Sequence, residues 1–174
     1  MKIAGKAWVF DRAVGATDIV SSNHDKAGMS RDWDECRKHL LEDVDPNFAA
    51  HVAPGDIIFS GANLGRGHAH YYTASIMSCK TAGISAILCT SINALFQRCA
   101  IDLGFLAWPI YKIVDLAVTG DYVEIDLLAG EARNITKGEY HRFDPVAPLI
   151  LDIVKAGGSL DWAMRRVGAD VTTV

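Results

Sequence analysis

The chain has 174 residues, half of them apolar, and a formal net charge of −4 at pH 7. This length predicts a single domain over 1–174 with enough apolar residues for a core. The slightly acidic balance, without a basic patch, argues against a nucleic-acid partner. No apolar run is long enough to span a bilayer, and the first ten residues lack the layout of a signal peptide. We therefore expect a cytoplasmic protein with no membrane partner.

The first third of the chain predicts one strand followed mainly by loops. Residues 2–10 read as a strand, with Trp8 in its second half. Residues 11–22 break into loop, and 23–32 are polar without a clear period. Irregular segments of this length in a compact domain are often functional. Residues 33–41 predict a short helix, and the Asp-Pro-Asn triplet at 45–47 predicts a turn.

The segment at 54–83 (PGDIIFSGANLGRGHAHYYTASIMSCKTAG) is the stretch around which the other elements are predicted to assemble. Residues 56–59 predict a buried strand, and the loop that follows contains three glycines. Residues 69–79 predict a helix that stops at Gly83. The first N–H groups of a helix lack internal partners and carry partial positive charge. This geometry attracts phosphate or carboxylate. The alternative is a tight turn whose glycines only satisfy backbone geometry.

The remaining elements alternate between apolar strands and amphipathic helices, which predicts a parallel α/β core with an added hairpin. They are, in order, strand 84–90, helix 93–103, strand 105–110, alternating strand 122–128, a hairpin return at 132–135, and helices 146–155 and 160–167.

The four cysteines, at 36, 79, 89 and 99, form no Cys-x-x-Cys pair. Their spacing does not match a usual zinc or iron–sulfur pattern, and three of them lie in apolar stretches. We interpret them as small buried hydrophobes. We therefore expect this chain to hold no metal, so that any cluster it works with comes from another chain.

Six short segments resemble, in order, the small subunit of the isopropylmalate isomerase type, which is equivalent to the swivelling domain of aconitase. They are GKAWVF at 5–10, the Thr17–Asp18 pair followed by Ser21, EDVDPNFA at 42–49, PGDII at 54–58 with GANLG at 61–65, AGISAI at 82–87, and NALFQR at 93–98. The resemblance implies an α/β fold of the swivelling β/β/α kind. It also implies a larger partner subunit that holds a [4Fe–4S] cluster, whose iron binds the leaving hydroxyl while water is removed from a hydroxy di- or tricarboxylate.

The chain departs from this family directly after Gly65-x-Gly67. There the family reads serine-serine-arginine-glutamate-histidine, and this chain reads His68-Ala69-His70-Tyr71-Tyr72. The family's serine base and its carboxylate-binding arginine are both absent. Three alternatives follow, all of them open at this point.

In the first alternative, His68 is the base, since an imidazole titrates near neutral pH, and His70 or Arg66 holds a carboxylate. In the second, His68 and His70 bind a metal together with His24 or Asp18. In the third, the chemistry is lost and the chain is a binding or regulatory paralogue.

We predict His68 and His70 as catalytic residues, with a small carboxylate as substrate. The predicted substrate-binding residues come from the loops that the resemblance places beside the substrate: Thr17, Asp18, Ser21, Arg31, Asn63, Gly65, Arg66 and Gly67. A competing class is a stand-alone binder of small anions, which would take its ligand without a partner. Without the partner, the chain could also self-associate.

Overall fold

The computed structural model describes residues 1–168, built on one seven-stranded sheet in the order β4-β3-β2-β1-β5-β6-β7. The last six residues of the predicted single domain, 169–174, lie outside the described residues. The strands are β1 (Lys2–Phe10), β2 (Ile57–Ser60), β3 (Ala86–Cys89), β4 (Ala107–Pro109), β5 (Tyr122–Asp126), β6 (Glu131–Asn134) and β7 (Glu139–Arg142). The helices are α1 (Ala16–Ile19), α2 (Asp25–Met29), α3 (Trp33–Cys36), α4 (Phe48–His51), α5 (Tyr72–Thr81), α6 (Ala94–Asp102), α7 (Pro148–Ala156) and α8 (Ser159–Val167).

The sheet has a parallel half and an antiparallel half that share β1. The second part of β1 pairs in parallel with β2, and β3 and β4 continue the parallel half. The first part of β1 pairs antiparallel with β5, and β6 and β7 extend that half. Every residue of β2 and β3 is buried. Full burial on both faces explains why these two strands are continuous apolar runs in the sequence.

Two apolar clusters form the core, and α5 belongs to only one of them. The first packs α5 and α6 with the segment between α1 and α4, and includes Trp8, Phe48, Leu64 and Phe96. The second packs β5 and β6 with α7 and the 3₁₀ turn Ile113–Leu116. Trp8 donates its indole N–H to the buried carboxylate of Asp56 at 2.8 Å, which ties β1 to the turn before β2.

The structure confirms the predicted strands, the hairpin and the helices after residue 68, with shifts of a few residues at their ends. The helix predicted at 33–41 is present as α3 followed by a 3₁₀ turn at Arg37–His39, whereas α4 was not predicted. Other predictions differ from the structure. The stretch 11–22 is not all loop, because it contains α1, and the polar stretch 23–32 contains a 3₁₀ turn and α2. Strand β7 was missed, because as an exposed edge strand, EYHR, it has no apolar alternation. Within residues 1–168, no helix has the length and apolar character needed to cross a membrane.

Candidate active site

The candidate site lies where the chain leaves β1 and β2. Because these strands are parallel neighbours, their carboxyl ends meet at the same edge of the sheet, and the loops that follow pack against each other. The N–H of Ala16, at the start of α1, donates to the carbonyl of Arg66 at 3.0 Å. The N–H of Gly65 donates to the carbonyl of Val14 at 2.8 Å. The two loops therefore form one backbone-linked unit in front of α5.

Gly65 is required by packing as well as by its backbone angle. Its φ is 72°, and a Cβ at this position would overlap the ring of Phe96. Its N–H is used by Val14, and the N–H of Asn63 donates to the hydroxyl of Ser91 at 2.9 Å. Protein oxygens therefore already accept from these two backbone amides, and the substrate-binding role of Gly65 stays a prediction. The exposed side chain of Asn63 stays a predicted binding group.

On one side of α5 lies a depression that we call the glycine-loop depression. It is lined by Gly15 and by four of the predicted residues, Thr17, Asp18, Arg66 and Gly67. The carboxylate of Asp18 accepts the N–H of Gly15 at 2.7 Å and so closes the first turn of α1. The same carboxylate oxygen lies 3.9 Å from both Arg12 and Arg66. Asp18 thus partly neutralises the charge of these two guanidinium groups beside the glycine-loop depression.

On the other side lies a cavity of about 250 Å³ that we call the histidine cavity. Three predicted residues, Ser21, Arg31 and His70, contribute to its wall. Its other lining residues are Val20, His24, Asp25, Gly28, Met29, Trp33, Tyr71, Thr73 and Ala74. The sequence segments at 20–33 and 70–74 are brought together here because the first turn of α5 packs against the loop that contains α2.

Two details of the cavity wall bear on its chemistry. Arg31 has a φ of 59°, a conformation that costs a non-glycine residue energy, and its guanidinium is exposed at the cavity. The hydroxyl of Tyr71 donates to Asp25 at 3.2 Å. Tyr72 is buried instead, and its hydroxyl donates to the carbonyl of Gly67 at 3.3 Å. Of the two tyrosines, Tyr71 lines the cavity and Tyr72 packs in the core.

His68 lies between the two sides and lines neither. Its ring is exposed and lies 5.4 Å from the ring of His70, measured between centroids. His70 in turn lies 4.1 Å from the ring of Tyr71. The structure therefore places the two predicted catalytic histidines side by side just before the amino-terminal end of α5. Of the two, His70 lines the cavity.

A cluster that the sequence did not reveal lies beside the cavity and shares His24 with the cavity wall; its members are His24, His39 and Glu42. One carboxylate oxygen of Glu42 lies 2.5 Å from Nε2 of His24, and the other lies 2.7 Å from Nδ1 of His39. The two rings stack with centroids 3.7 Å apart. Leu41 adopts a φ of 55°, which turns the chain so that Glu42 faces back toward His39. Burial raises the pKa of Glu42, but the hydrogen bonds to His24 and His39 outweigh it and hold that pKa below its usual value.

Among residues 1–168, this cluster is the one group of three or more His, Cys, Asp or Glu side chains whose possible ligand atoms all lie within 4.8 Å of one another. His68 and His70 do not join His24 or Asp18 in such a group. The metal-binding alternative that combined those residues therefore lacks a site within the described chain.

The cysteines do not form a cluster site. Cys36, Cys79 and Cys89 are buried, Cys99 is half-buried, and none of them belongs to a group that could hold a metal within the described range. Burial raises the pKa of Cys79 and of Cys89 to about 12, which disfavours the thiolate form that binds iron. The thiols of this chain do not fit an iron–sulfur cluster.

Comparison with known proteins identifies the family. The chain is 32% identical over 170 residues to the 3-isopropylmalate dehydratase small subunit of Thermodesulfovibrio yellowstonii, covering 98% of each protein. It is 35% identical over 170 residues to 3-isopropylmalate dehydratase small subunit 1 of Thermotoga maritima, covering 94% of this chain and 96% of that protein. This chain belongs to the 3-isopropylmalate dehydratase small-subunit family. A scan of protein-family models gave no match.

A solved structure agrees with the family assignment. The crystal structure of 3-isopropylmalate dehydratase from Methanocaldococcus jannaschii superposes with a TM-score of 0.84 at 28% identity, covering 96% of each chain. The swivelling α/β fold implied by the sequence resemblance is thereby confirmed. Members of this family are named as small subunits of a hydro-lyase, so the family is one of enzyme subunits that act with a larger partner.

Sequence reasoning missed the pairing of His24 and His39 with Glu42. Glu42 was noticed only as the first residue of a segment that resembles the family, and His24 only as a further ligand for a metal. The available signal was weak. His39 and Glu42 are three residues apart, and their contact depends on the left-handed Leu41 between them.

Proposed function

We propose that this chain is the small subunit of a heteromeric hydro-lyase that removes water from, and adds it to, a hydroxy di- or tricarboxylate. A large subunit would hold the [4Fe–4S] cluster and complete the active site. The observation that carries the proposal is the full-length similarity to small subunits of 3-isopropylmalate dehydratase, over 98% of both chains. The cysteines support the assignment of the cluster to the large subunit, because they do not fit a cluster in this chain.

In this proposal the substrate lies over the amino-terminal end of α5, between the glycine-loop depression and the histidine cavity. Arg31 and Arg66 are the cations on the two sides, and each would hold a carboxylate of the substrate. Thr17, Ser21 and the side chain of Asn63 would supply hydrogen bonds to the substrate. Gly67 would let the backbone approach the substrate closely, since its φ is 111° and no atom lies within 4 Å of a Cβ at this position.

His68 is the proposed base, because it holds the chain position at which the family carries its serine. An imidazole can accept a proton near neutral pH without an activating partner, and the side chain of His68 is exposed. His70 would assist from the cavity wall, either as a second proton-transfer group or as a donor to a substrate carboxylate. The changed motif supports a substrate that differs from isopropylmalate at the part read by these residues.

Anaerobic co-purification with the cluster-bearing large subunit from the same source tests the proposal. The complex would be assayed for unsaturated acid formed from a panel of hydroxy di- and tricarboxylates. We expect a stable complex and turnover of at least one acid on the panel. A complex without turnover would favour a regulatory subunit. Failure to form any complex, together with anion binding by the isolated chain, would favour a stand-alone binder.

A further inference from the structure

Glu42 is a carboxylate that accepts hydrogen bonds from two imidazoles at once. Its two oxygens lie 2.5 Å from Nε2 of His24 and 2.7 Å from Nδ1 of His39. An ionised carboxylate has only acceptors, so the proton of each hydrogen bond must come from the ring nitrogen. The lowered pKa of Glu42 is consistent with the ionised form. Both rings therefore carry a proton on the nitrogen that faces Glu42.

This assignment leaves the other nitrogen of a neutral His24 as a lone-pair acceptor. Nδ1 of His24 has no protein partner within residues 1–168, and no buried side-chain nitrogen in that range lacks one. Nδ1 is consequently accessible. His24 lines the histidine cavity together with Ser21, Arg31 and His70.

His39 holds the ring plane of His24 in place. The two rings stack with an interplanar angle of 17°. On its far side, Nε2 of His39 lies 3.5 Å from one carboxylate oxygen of Glu35, and the other oxygen of Glu35 accepts from Lys38 at 2.6 Å. The stack and the hydrogen bond together restrict both torsions of the His24 side chain. An imidazole with a fixed tautomer and a fixed plane is the arrangement by which a carboxylate prepares a histidine for proton transfer.

We infer that Glu42 orients His24 as a proton acceptor on the wall of the histidine cavity, with His39 as a second positioning residue. The inference rests on the proposed hydro-lyase function, and within it His24 takes the carbon-bound proton in place of His68; the variants His24→Gln and His68→Ala decide between the two. In the elimination direction, Nδ1 takes a proton from the substrate carbon, and the electron pair left on that carbon forms the double bond. The hydroxyl group leaves as hydroxide with the electron pair of its C–O bond, and the cluster of the large subunit would supply the Lewis acid that accepts it. The imidazolium that results is stabilised by Glu42. In the hydration direction, the same proton returns to carbon.

The stacked rings favour this role over a metal site. The lone pair of an imidazole nitrogen lies in the ring plane, so two near-parallel rings whose centroids are 3.7 Å apart do not point at one ion. The distances of 2.5 and 2.7 Å are typical of hydrogen bonds. A zinc ion about 2.0–2.2 Å from each ligand would require at least one ring to rotate out of the stack.

The tautomer can be measured on the isolated chain by nitrogen-15 NMR of its six histidines, with substitution to assign each ring. We expect His24 to carry its proton on Nε2 in the wild-type chain. In Glu42→Gln we expect a mixture of tautomers, because glutamine offers one oxygen and cannot accept from both rings. A wild-type proton on Nδ1 of His24 would overturn the inference. Stoichiometric zinc that co-purifies with the chain and is lost in His39→Ala would also overturn it, in favour of a metal site.

Turnover of the complex with the large subunit provides the second readout. In His24→Gln we expect kcat to fall by roughly 10²-fold or more with a smaller change in KM, as for loss of a proton-transfer group. Glu42→Gln should lower kcat by at least about tenfold, since the ring loses its fixed tautomer. His51→Gln is the matched control, since His51 is exposed and bonds only a nearby carbonyl, that of Asn47. An unchanged kcat in His24→Gln with an intact complex would exclude His24 as the acceptor.

The two readouts separate this inference from the proposed function. If the wild-type complex turns over none of the acids, the hydro-lyase function fails, whereas the tautomer of His24 is still decided by NMR. If the wild-type complex is active and His24→Gln is equally active, the function stands and the inference fails.

Discussion

The two sides of the amino end of α5 are built by different means. The glycine-loop depression is held by the backbone: Ala16 donates to Arg66, Gly65 donates to Val14, and Gly65 leaves room for Phe96. Around the histidine cavity, side-chain contacts join the segments: Glu42 is hydrogen-bonded to two histidines, one of them on the cavity wall, and the hydroxyl of Tyr71 donates to Asp25. The first side therefore tolerates changes of side chain, whereas the second depends on the chemical identity of a few residues.

This difference suggests how the family site has changed in this chain. The glycine loop that shapes the site resembles the family's, while the residues directly after it are His68-Ala69-His70 instead of serine and arginine. The wall of the neighbouring cavity adds one further imidazole, that of His24. A backbone-built frame can keep its shape while the proton-transfer groups around it are exchanged.

The largest expected effect tests which side carries the chemistry. In the complex with the large subunit, His68→Ala should lower kcat by roughly 10²- to 10⁴-fold if His68 is the base. Complex formation should be unaffected, since His68 is exposed and lines neither side. Steady-state kinetics and size-exclusion chromatography would be measured together. An unchanged kcat, alongside a large loss in His24→Gln, would move the base to the histidine cavity.

The next effect tests the backbone frame through two glycines of one loop. Gly65→Ala would force a Cβ into the ring of Phe96 at a positive φ, and we expect it to lower the free energy of unfolding by about 3 kcal/mol. Gly67→Ala also has a positive φ but meets no atom within 4 Å, so it should cost about 1 kcal/mol. Urea denaturation of the isolated chain measures both. Equal losses would show that packing against Phe96 does not explain the requirement for Gly65.

The sequence predicted the backbone-built side better than the side-chain-built one, for a physical reason. The glycine loop lies between a buried strand and a helix that are adjacent in the chain, so local pattern was enough to locate it. α1 and α2 were missed because they have only four and five residues, too few for a helical period. The contact of His24 with Glu42 spans 18 residues and exists only in the folded chain.

A smaller effect concerns the cation of the histidine cavity. If Arg31 holds a substrate carboxylate, Arg31→Ala should raise KM by about tenfold, the loss expected for one charge-assisted hydrogen bond. Its kcat should change less, because the residue is not proposed to transfer a proton. Arg37→Ala is the matched control, since Arg37 is exposed and pairs with Asp34 on the surface at 3.0 Å. Equal KM values in Arg31→Ala and the wild type would place Arg31 outside the site.

The smallest effect is a pH dependence that belongs to the side-chain-built side alone. Burial raises the pKa of Glu42, but the hydrogen bonds from His24 and His39 outweigh it and hold that pKa below its ordinary value of 4.5. The stabilisation from this carboxylate is therefore fully present above pH 4.5 and is lost as the pH falls through the lower pKa of the folded state. The unfolding free energies of the wild type and Glu42→Gln should differ most near neutral pH and converge in acid. Asp43→Asn, which removes the exposed neighbouring charge, is the control for net charge. Parallel curves for the wild type and Glu42→Gln down to the acid limit would mean that the two histidines do not stabilise the Glu42 carboxylate.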